Sequence, residues 1–301
     1  MLAKRLAPLS LMILAIVWGS TFFSTKRILT VLPETDFLFV RFLISTVVLA
    51  IIFARSWKMS RRTLIHGILL GLIYGTAQLV QTFGLARTSA SISGFLTGLY
   101  VVFTPVLGLI IFRIKVHRWV WVAVGLATIG LAVLTIRPSA DTIIGTGELL
   151  TIVCAVIYAL HIVLLGLWST PQEAGALTLA QSLSMTALFF LFALPGGITL
   201  PPTTTDWVWM IYLAVICGGL ALLIQTWAQS HIEAPKAAVI MCSEPLWATF
   251  FAILFGGEHP TWLFAFGAAT ILVAMYLVVR PPPTKPSPEG ISPPAVDVPH
   301  P

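Results

Sequence analysis

Residues 75–83 read Gly-Thr-Ala-Gln-Leu-Val-Gln-Thr-Phe, and 144 positions later residues 219–227 read Gly-Leu-Ala-Leu-Leu-Ile-Gln-Thr-Trp. Five of the nine positions are identical, and Val80/Ile224 and Phe83/Trp227 are close in shape. A second echo, Gly125-Leu-Ala-Thr-Ile129 against Gly267-Ala-Ala-Thr-Ile271, comes in the same order at an offset of 142. The chain therefore reads as one unit written twice. Because each copy holds an odd number of apolar spans, the copies are expected to lie upside down relative to each other in a bilayer, an arrangement common among secondary transporters.

Composition sets the solvent. Of 301 residues, 58% are hydrophobic and 9% charged, with a mean hydropathy of +0.98, against about 25% charged in a typical soluble domain. A membrane span needs about 20 mostly apolar residues. Ten such runs are predicted, at 8–25, 37–54, 66–86, 91–112, 118–136, 147–167, 177–194, 207–229, 237–255 and 261–279. The expected fold class is thus an all-α polytopic membrane protein, ten helices in two inverted five-helix repeats covering 1–140 and 141–280. Residues 281–301 carry nine of the twenty prolines, a composition that precludes a packed core and predicts a disordered tail.

The net charge of +6 does not point to nucleic acid, because the basic residues follow a topology. With an inside N-terminus, twelve of the seventeen Lys and Arg residues fall on the cytoplasmic side, including Lys4, Arg5, Arg61, Arg62, Arg113, Lys115 and Lys236. The positive-inside rule then predicts both termini in the cytoplasm. Cys154, Cys217 and Cys242 all lie inside predicted spans, so no disulfide framework is expected. No nucleotide-binding, metal or cofactor motif is found, and the expected partners are a small-molecule substrate and the lipid bilayer, with the protein a monomer or weak homodimer.

Several short elements resemble the drug/metabolite transporter superfamily of bacterial inner-membrane proteins with tandem EamA domains. They are Trp18-Gly-Ser20 in span 1, Val40-Arg41-Phe42-Leu43 in span 2, Gly84-Leu-Ala-Arg-Thr-Ser-Ala-Ser91 entering span 4, Ser243-Glu244-Pro245 in span 9 and Gly257-Glu258 before span 10. The resemblance implies a central cavity walled by spans 1, 3, 4, 6, 8 and 9, with spans 2 and 7 flanking and spans 5 and 10 packed together. It implies export of amino acids, other metabolites or drugs by alternating access. The first copy departs from the pattern, with Tyr100-Val101 in place of Glu244-Pro245 and Arg113-Ile114 in place of Gly257-Glu258.

Polar residues in mid-span are the candidate site. Glu244 is the one carboxylate deep in a predicted span, where a charge costs roughly 2.5–3.5 kcal/mol on the insertion scale. It couples transport to protons, binds a substrate amine, or is a neutral acid bridging two helices. Tyr74, Gln78 and Gln81 fall at i, i+4 and i+7 on span 3 and form one polar stripe; Gln81 has its mate in Gln225, beside Trp227. His161 follows Tyr158 by most of a turn on span 6, either facing the cavity or bonded in the packing. With Trp18 and Tyr100 these residues predict a pocket of amide donors between aromatic walls, suited to an aromatic or bulky apolar amino acid. Nucleotide sugars fit less well, because no basic pair sits in mid-span to hold a diphosphate.

Pro105 and Pro245 break spans 4 and 9 and are read as candidate hinges or as tolerated kinks. Arg41 is expected to snorkel to the interface near Glu34 and Asp36, away from the site. Trp119, Trp121, Trp207, Trp209 and Trp262 are expected in the interfacial belt. Glycines at 67, 71 and 75 in span 3, and at 94 and 98 in span 4, permit close helix contacts; they are expected to pack spans 3 and 4 with spans 8 and 9. Two other classes of function compete. A membrane-embedded lipid-modifying enzyme would need paired acids or a His/Asp/Glu cluster at one membrane face, which the sequence lacks. A lipid-flippase subunit would have no need of the polar stripe.

Overall fold

The computed structural model describes residues 2–54, 59–135, 145–256 and 262–279. Among these residues every regular element is helical. Helices α1 (Leu2–Ile28), α2 (Glu34–Ile52) and α3 (Arg61–Arg87) run back and forth, followed by a pair, α4 (Ala90–Gly98) and α5 (Tyr100–Ile110), that together occupy the fourth expected span. Then come α6 (Arg118–Thr135), α7 (Thr146–Trp168) and α8 (Ala174–Ala193). The eighth expected span is α9 (Thr204–Ile211), a π-helical segment (Tyr212–Leu220) and α10 (Ala221–Gln229) in continuous succession. The ninth is divided into α11 (Ala234–Met241) and α12 (Glu244–Gly256), and α13 (Trp262–Val279) ends the described chain.

Among the described residues, seven helical stretches are long and apolar enough to cross a membrane: 5–28, 34–52, 61–87, 92–110, 146–168, 174–196 and 204–229. Two shorter apolar stretches lie at 118–133 and 265–279. The protein is a multi-pass membrane protein whose outer surface is itself apolar, with Ile51, Ile110, Leu191, Val208 and Leu254 exposed. The Gly257-Glu258 element and the proline-rich tail lie outside the described residues.

Local signals explain the joints. Ser60 caps α3 by accepting the Thr63 amide, and Ser89 caps α4 by accepting the Ile92 amide, which relieves two of the donors a helix start leaves open. Thr88, between α3 and α4, gives its hydroxyl to Glu148 in the first turn of α7, while its carbonyl accepts from Lys26 at the end of α1. Gly84 completes this corner: a Cβ there would meet Thr151 Oγ1 at 2.6 Å and the Gly147 carbonyl at 3.0 Å, so only glycine lets α3 lie this close to α7.

The glycine stripe of α3 does not pack as the sequence suggests. It faces α8, the seventh expected span. A Cβ on Gly67 would stand 2.3 Å from Ala180 Cβ, and one on Gly71 2.0 Å from Ser184 Oγ and 2.4 Å from the Gln181 carbonyl. The reason is reciprocal smallness: α8 offers Ala180, Ser184 and backbone along that face, and the two backbones approach until hydroxyl and carbonyl touch, as Ser184 Oγ bonding the Ile68 carbonyl at 3.3 Å shows. Spacings of small residues alone name a close contact and not its partner. Helices α6 and α13 pack on each other, with Gly130 against the Gly267 carbonyl and Ile271, as the resemblance implies for spans 5 and 10. The cysteines are free and buried.

Candidate functional site

The π segment is where the helices that form the cavity are tied together. Its i→i+5 turns offer carbonyls that side chains from two other helices engage. Trp18 Nε1 donates to the Cys217 carbonyl at 3.2 Å, and Arg41 donates from Nη2 to the same carbonyl at 3.3 Å and from Nε to the Leu213 carbonyl at 3.1 Å. Ser45 donates to the Ala214 carbonyl at 2.6 Å. Gly218 and Gly219 allow α2 this near, since a Cβ on Gly218 would meet Ser45 Oγ at 2.7 Å.

The Trp18-Gly19-Ser20 element divides its labour over three contacts. Trp18 reaches Cys217, and Ser20 Oγ bonds the Tyr212 hydroxyl at 2.6 Å. At Gly19 a Cβ would stand 2.6 Å from Trp247 Cβ and 2.9 Å from the Glu244 carbonyl, so this glycine brings α1 onto the backbone of the first turn of α12.

Around these contacts lies a cavity lined by Trp18, Thr21, Phe22 and Thr25 of α1, Arg41 of α2, Tyr74, Gln78, Gln81, Thr82 and Leu85 of α3, and Thr97 and Tyr100 of the broken fourth span. From the second half of the sequence come Tyr158, Ile162, Gln225, Met241 and Glu244. Its free volume is about 50 Å³. That is room for a few waters and well below the roughly 300–1,000 Å³ of small-molecule pockets.

A hydrogen bond crosses the cavity between the two halves of the sequence, and others link residues within each half. The Tyr158 hydroxyl donates to Gln81 Oε1 at 2.8 Å, and Gln81 Nε2 donates to Thr97 Oγ1 at 3.1 Å, so one amide joins α7, α3 and α4. Gln78 Nε2 donates to the Tyr74 hydroxyl at 3.3 Å along the stripe, and the Tyr74 and Tyr158 rings lie 5.3 Å apart. Gln225 Nε2 donates to Gln229 Oε1 at 3.1 Å, and Gln229 in turn to the Ile162 carbonyl at 2.9 Å. The Tyr100 hydroxyl and Gln225 Oε1 are buried without a hydrogen-bond partner. Glu244, 7% exposed, makes no side-chain hydrogen bond or ion pair among the described residues.

Eight of the sequence-predicted residues thus meet in one place: Trp18, Tyr74, Gln78, Gln81, Tyr100, Tyr158, Gln225 and Glu244. Two others do not join them. His161 is 0% exposed and sits behind the Tyr74 ring, with Nε2 2.9 Å from Gln181 Oε1; Gln181 Nε2 donates to Thr226 Oγ1 at 3.3 Å. It therefore ties α7, α8 and α10 together instead of facing the cavity. Trp227 lines a separate hollow with Phe53, Pro171, Gly175 and Ile224 and packs on His231 at 4.8 Å. Pro105 lies within α5, six residues past the break at Leu99, and Pro245 within the first turn of α12, just past the break at 242–243. The breaks are themselves related at the offset of 144: Leu99 matches Ser243, and Tyr100 matches Glu244.

Arg41 corrects the reading of an interfacial side chain. It is 5% exposed, turned inward onto the Leu213 and Cys217 carbonyls, with its guanidinium 5.3 Å from the Phe42 ring centroid and 5.7 Å from that of Phe37. The acidic residues expected to hold it are engaged elsewhere: Glu34 pairs with Arg87 at 3.4 Å, and Asp36 accepts the Thr199 amide at 3.0 Å. The missed signal is the serine one turn on, Ser45, which places a second donor on the same face of α2. Among the described residues no group of three or more His, Cys, Asp or Glu side chains is placed to hold a metal.

Comparison with known proteins agrees with this architecture. The sequence is 28% identical over 276 residues, 91% of this chain and 86% of the other, to an "uncharacterized transporter" of Archaeoglobus fulgidus. A crystal structure described only as that of a protein superposes with a TM-score of 0.75 at 17% identity, over 91% of this chain and 95% of the other, which shows a shared fold. The EamA-like transporter family matches residues 5–136 and again residues 145–280. The chain is a membrane transporter of small molecules and not an enzyme, and it belongs to the EamA-like transporter family.

Proposed function

We propose that the protein is a ten-span secondary transporter of the bacterial inner membrane, built from two inverted five-helix repeats (1–140 and 141–280), which exports aromatic or bulky apolar amino acids by alternating access. The observation that carries this reading is the cavity between the repeats, where Trp18, Tyr74, Tyr100 and Tyr158 supply flat walls and Gln78, Gln81 and Gln225 supply amide groups. Aromatic walls with amide groups set between them suit a solute of one large apolar body and a small polar head.

Alternating access is favoured by the contracted volume of the cavity and by the paired breaks in the fourth and ninth spans. Pro105 and Pro245 serve as hinge elements beside those breaks, since a proline leaves a carbonyl without its helical donor and weakens the turn there. Glu244 is the candidate for coupling to a proton gradient.

The test is flux in proteoliposomes with a panel of labelled amino acids, with and without an imposed pH gradient. Saturable uptake of aromatic and branched amino acids above protein-free liposomes is expected. Selective uptake of charged amino acids, or no amino-acid flux at all, overturns the substrate assignment.

A further inference from the structure

Arg41 is a buried cation that is not held in an ion pair. Among the described residues the ion pairs are Arg87–Glu34 and Lys236–Glu233, and no carboxylate stands within ion-pair distance of Arg41. A guanidinium carries five N–H donors in a planar fork. The Leu213 and Cys217 carbonyls take one from Nε and one from Nη2. Those bonds and the Phe37 and Phe42 rings fix the plane of the fork, and Nη1 stays uncommitted on a side chain that lines the cavity. Carbonyl dipoles soften the cost of burying the charge; they do not neutralise it.

The same cavity contains the complementary set. Among the described residues Glu244 lines it without a hydrogen bond or ion pair, and Gln225 Oε1 and the Tyr100 hydroxyl are both buried and unpartnered. A buried polar group left unmade costs about 1–3 kcal/mol. Uncommitted acceptors, a hydroxyl and a lone cation in one small space are what a zwitterion would satisfy together. The aromatic side chains give its apolar part a surface.

We propose that Arg41 binds the carboxylate of the transported solute, with Glu244 and Gln225 receiving its ammonium group. This rests on the reading of the protein as an amino-acid transporter, and it goes further by naming which charged groups select the solute. Its competitor is a purely structural role, in which Arg41 only clamps α2 to the π segment.

The experiment uses the full chain in proteoliposomes and the best-carried amino acid of the panel, competed by its decarboxylated amine and its deaminated acid. For phenylalanine these are phenethylamine and 3-phenylpropionate. Removing one partner of a buried charged hydrogen-bonded pair costs enough that the amine is expected to compete about 30-fold or more weaker than the amino acid. Arg41→Gln, checked for folding by its melting temperature, is expected to bring amine and amino acid within about threefold of each other. Arg41→Lys keeps the charge without the fork, and is expected to retain the preference while raising KM about tenfold. If the wild-type protein takes the amine as readily as the amino acid, the proposal is overturned although amino-acid transport stands. A folded Arg41→Gln with the wild-type preference overturns it as well. Absence of any amino-acid flux removes the underlying reading and this proposal with it. If Arg41→Gln does not fold, the wild-type competition and Arg41→Lys decide.

Discussion

Trp18 and Arg41, on different helices, donate to one and the same acceptor, the backbone carbonyl of Cys217, at 3.2 and 3.3 Å. Both of these donor side chains line the cavity. Trp18→Phe keeps an aromatic ring and removes the N–H. It is expected to lower stability by about 0.5–1 kcal/mol, the usual worth of an interhelical hydrogen bond in a bilayer, and to slow transport. An unchanged melting temperature in detergent together with unchanged flux would remove Trp18 from the tie.

The glycines of α3 should differ in their tolerance of a methyl group. Gly71→Ala meets the Gln181 backbone at 2.4 Å, whereas Gly75→Ala meets the far end of Leu188 at 2.9 Å, and a side-chain end can turn away where backbone cannot. Overpacking costs about 1–3 kcal/mol, so Gly71→Ala should fall at or above the top of that range and Gly75→Ala near its bottom. Thermal unfolding of the two variants side by side checks the order; equal losses would contradict the contact between α3 and α8.

His161 gives a prediction of the opposite kind. With its Nε2 bonded to Gln181 and no exposure, His161→Ala should destabilise by about 1–3 kcal/mol, leaving buried amide atoms unpaired, while the order of preference among substrates stays as in wild type. A changed order of preference with unchanged stability would put the imidazole in contact with substrate.

Gln81 and Tyr158 form a pair that a double-mutant cycle can isolate. Tyr158→Phe and Gln81→Leu should each raise the KM for the best substrate several-fold. The double variant should fall short of the product, with a coupling of about 0.5–3 kcal/mol for groups in direct contact. Strict multiplicativity would mean that the 2.8 Å bond between them has no part in the transporting state.

The proposed inverted topology can be mapped by labelling, because the native cysteines are buried and should react slowly. Thr30→Cys and Thr203→Cys, at exposed positions, are expected to react with an impermeant maleimide from the periplasmic side. Ser60→Cys and Thr170→Cys should require access from the cytoplasm. Any member of one pair behaving like the other pair would overturn the arrangement of the spans.

Much of the site is legible in the sequence because the bilayer makes polar residues conspicuous. Tyr74, Gln78 and Gln81 fall one above another on an apolar helix, and lipid would not accept them, so their convergence follows from period alone. Arg41 and His161 are harder to place, since the penalty that singles out a buried polar group can be met by backbone carbonyls or by an amide on another helix, and a sequence does not show which. Gln181, the partner of His161, lies in a helix with no other strongly polar neighbour to flag it. The glycine stripe is legible as a contact and illegible as to its partner, because Ala180 and Ser184 complete the fit from a part of the chain that carries no repeat signal.

The π segment also sets an angle. A helix with one residue added to a turn is rotated by about 100° beyond that point, so the faces of α9 and α10 are out of phase with each other. Gln225, which lines the cavity, follows the Tyr212–Leu220 segment in the chain and so takes its facing from that rotation. Deleting a single apolar residue from the segment would straighten the helix, leave composition and hydropathy almost untouched, and swing every side chain from Ala221 to Gln229 off its partner. The angular phase of one helix, and not only the identity of its side chains, is therefore a determinant of what the second half of the protein presents to the cavity.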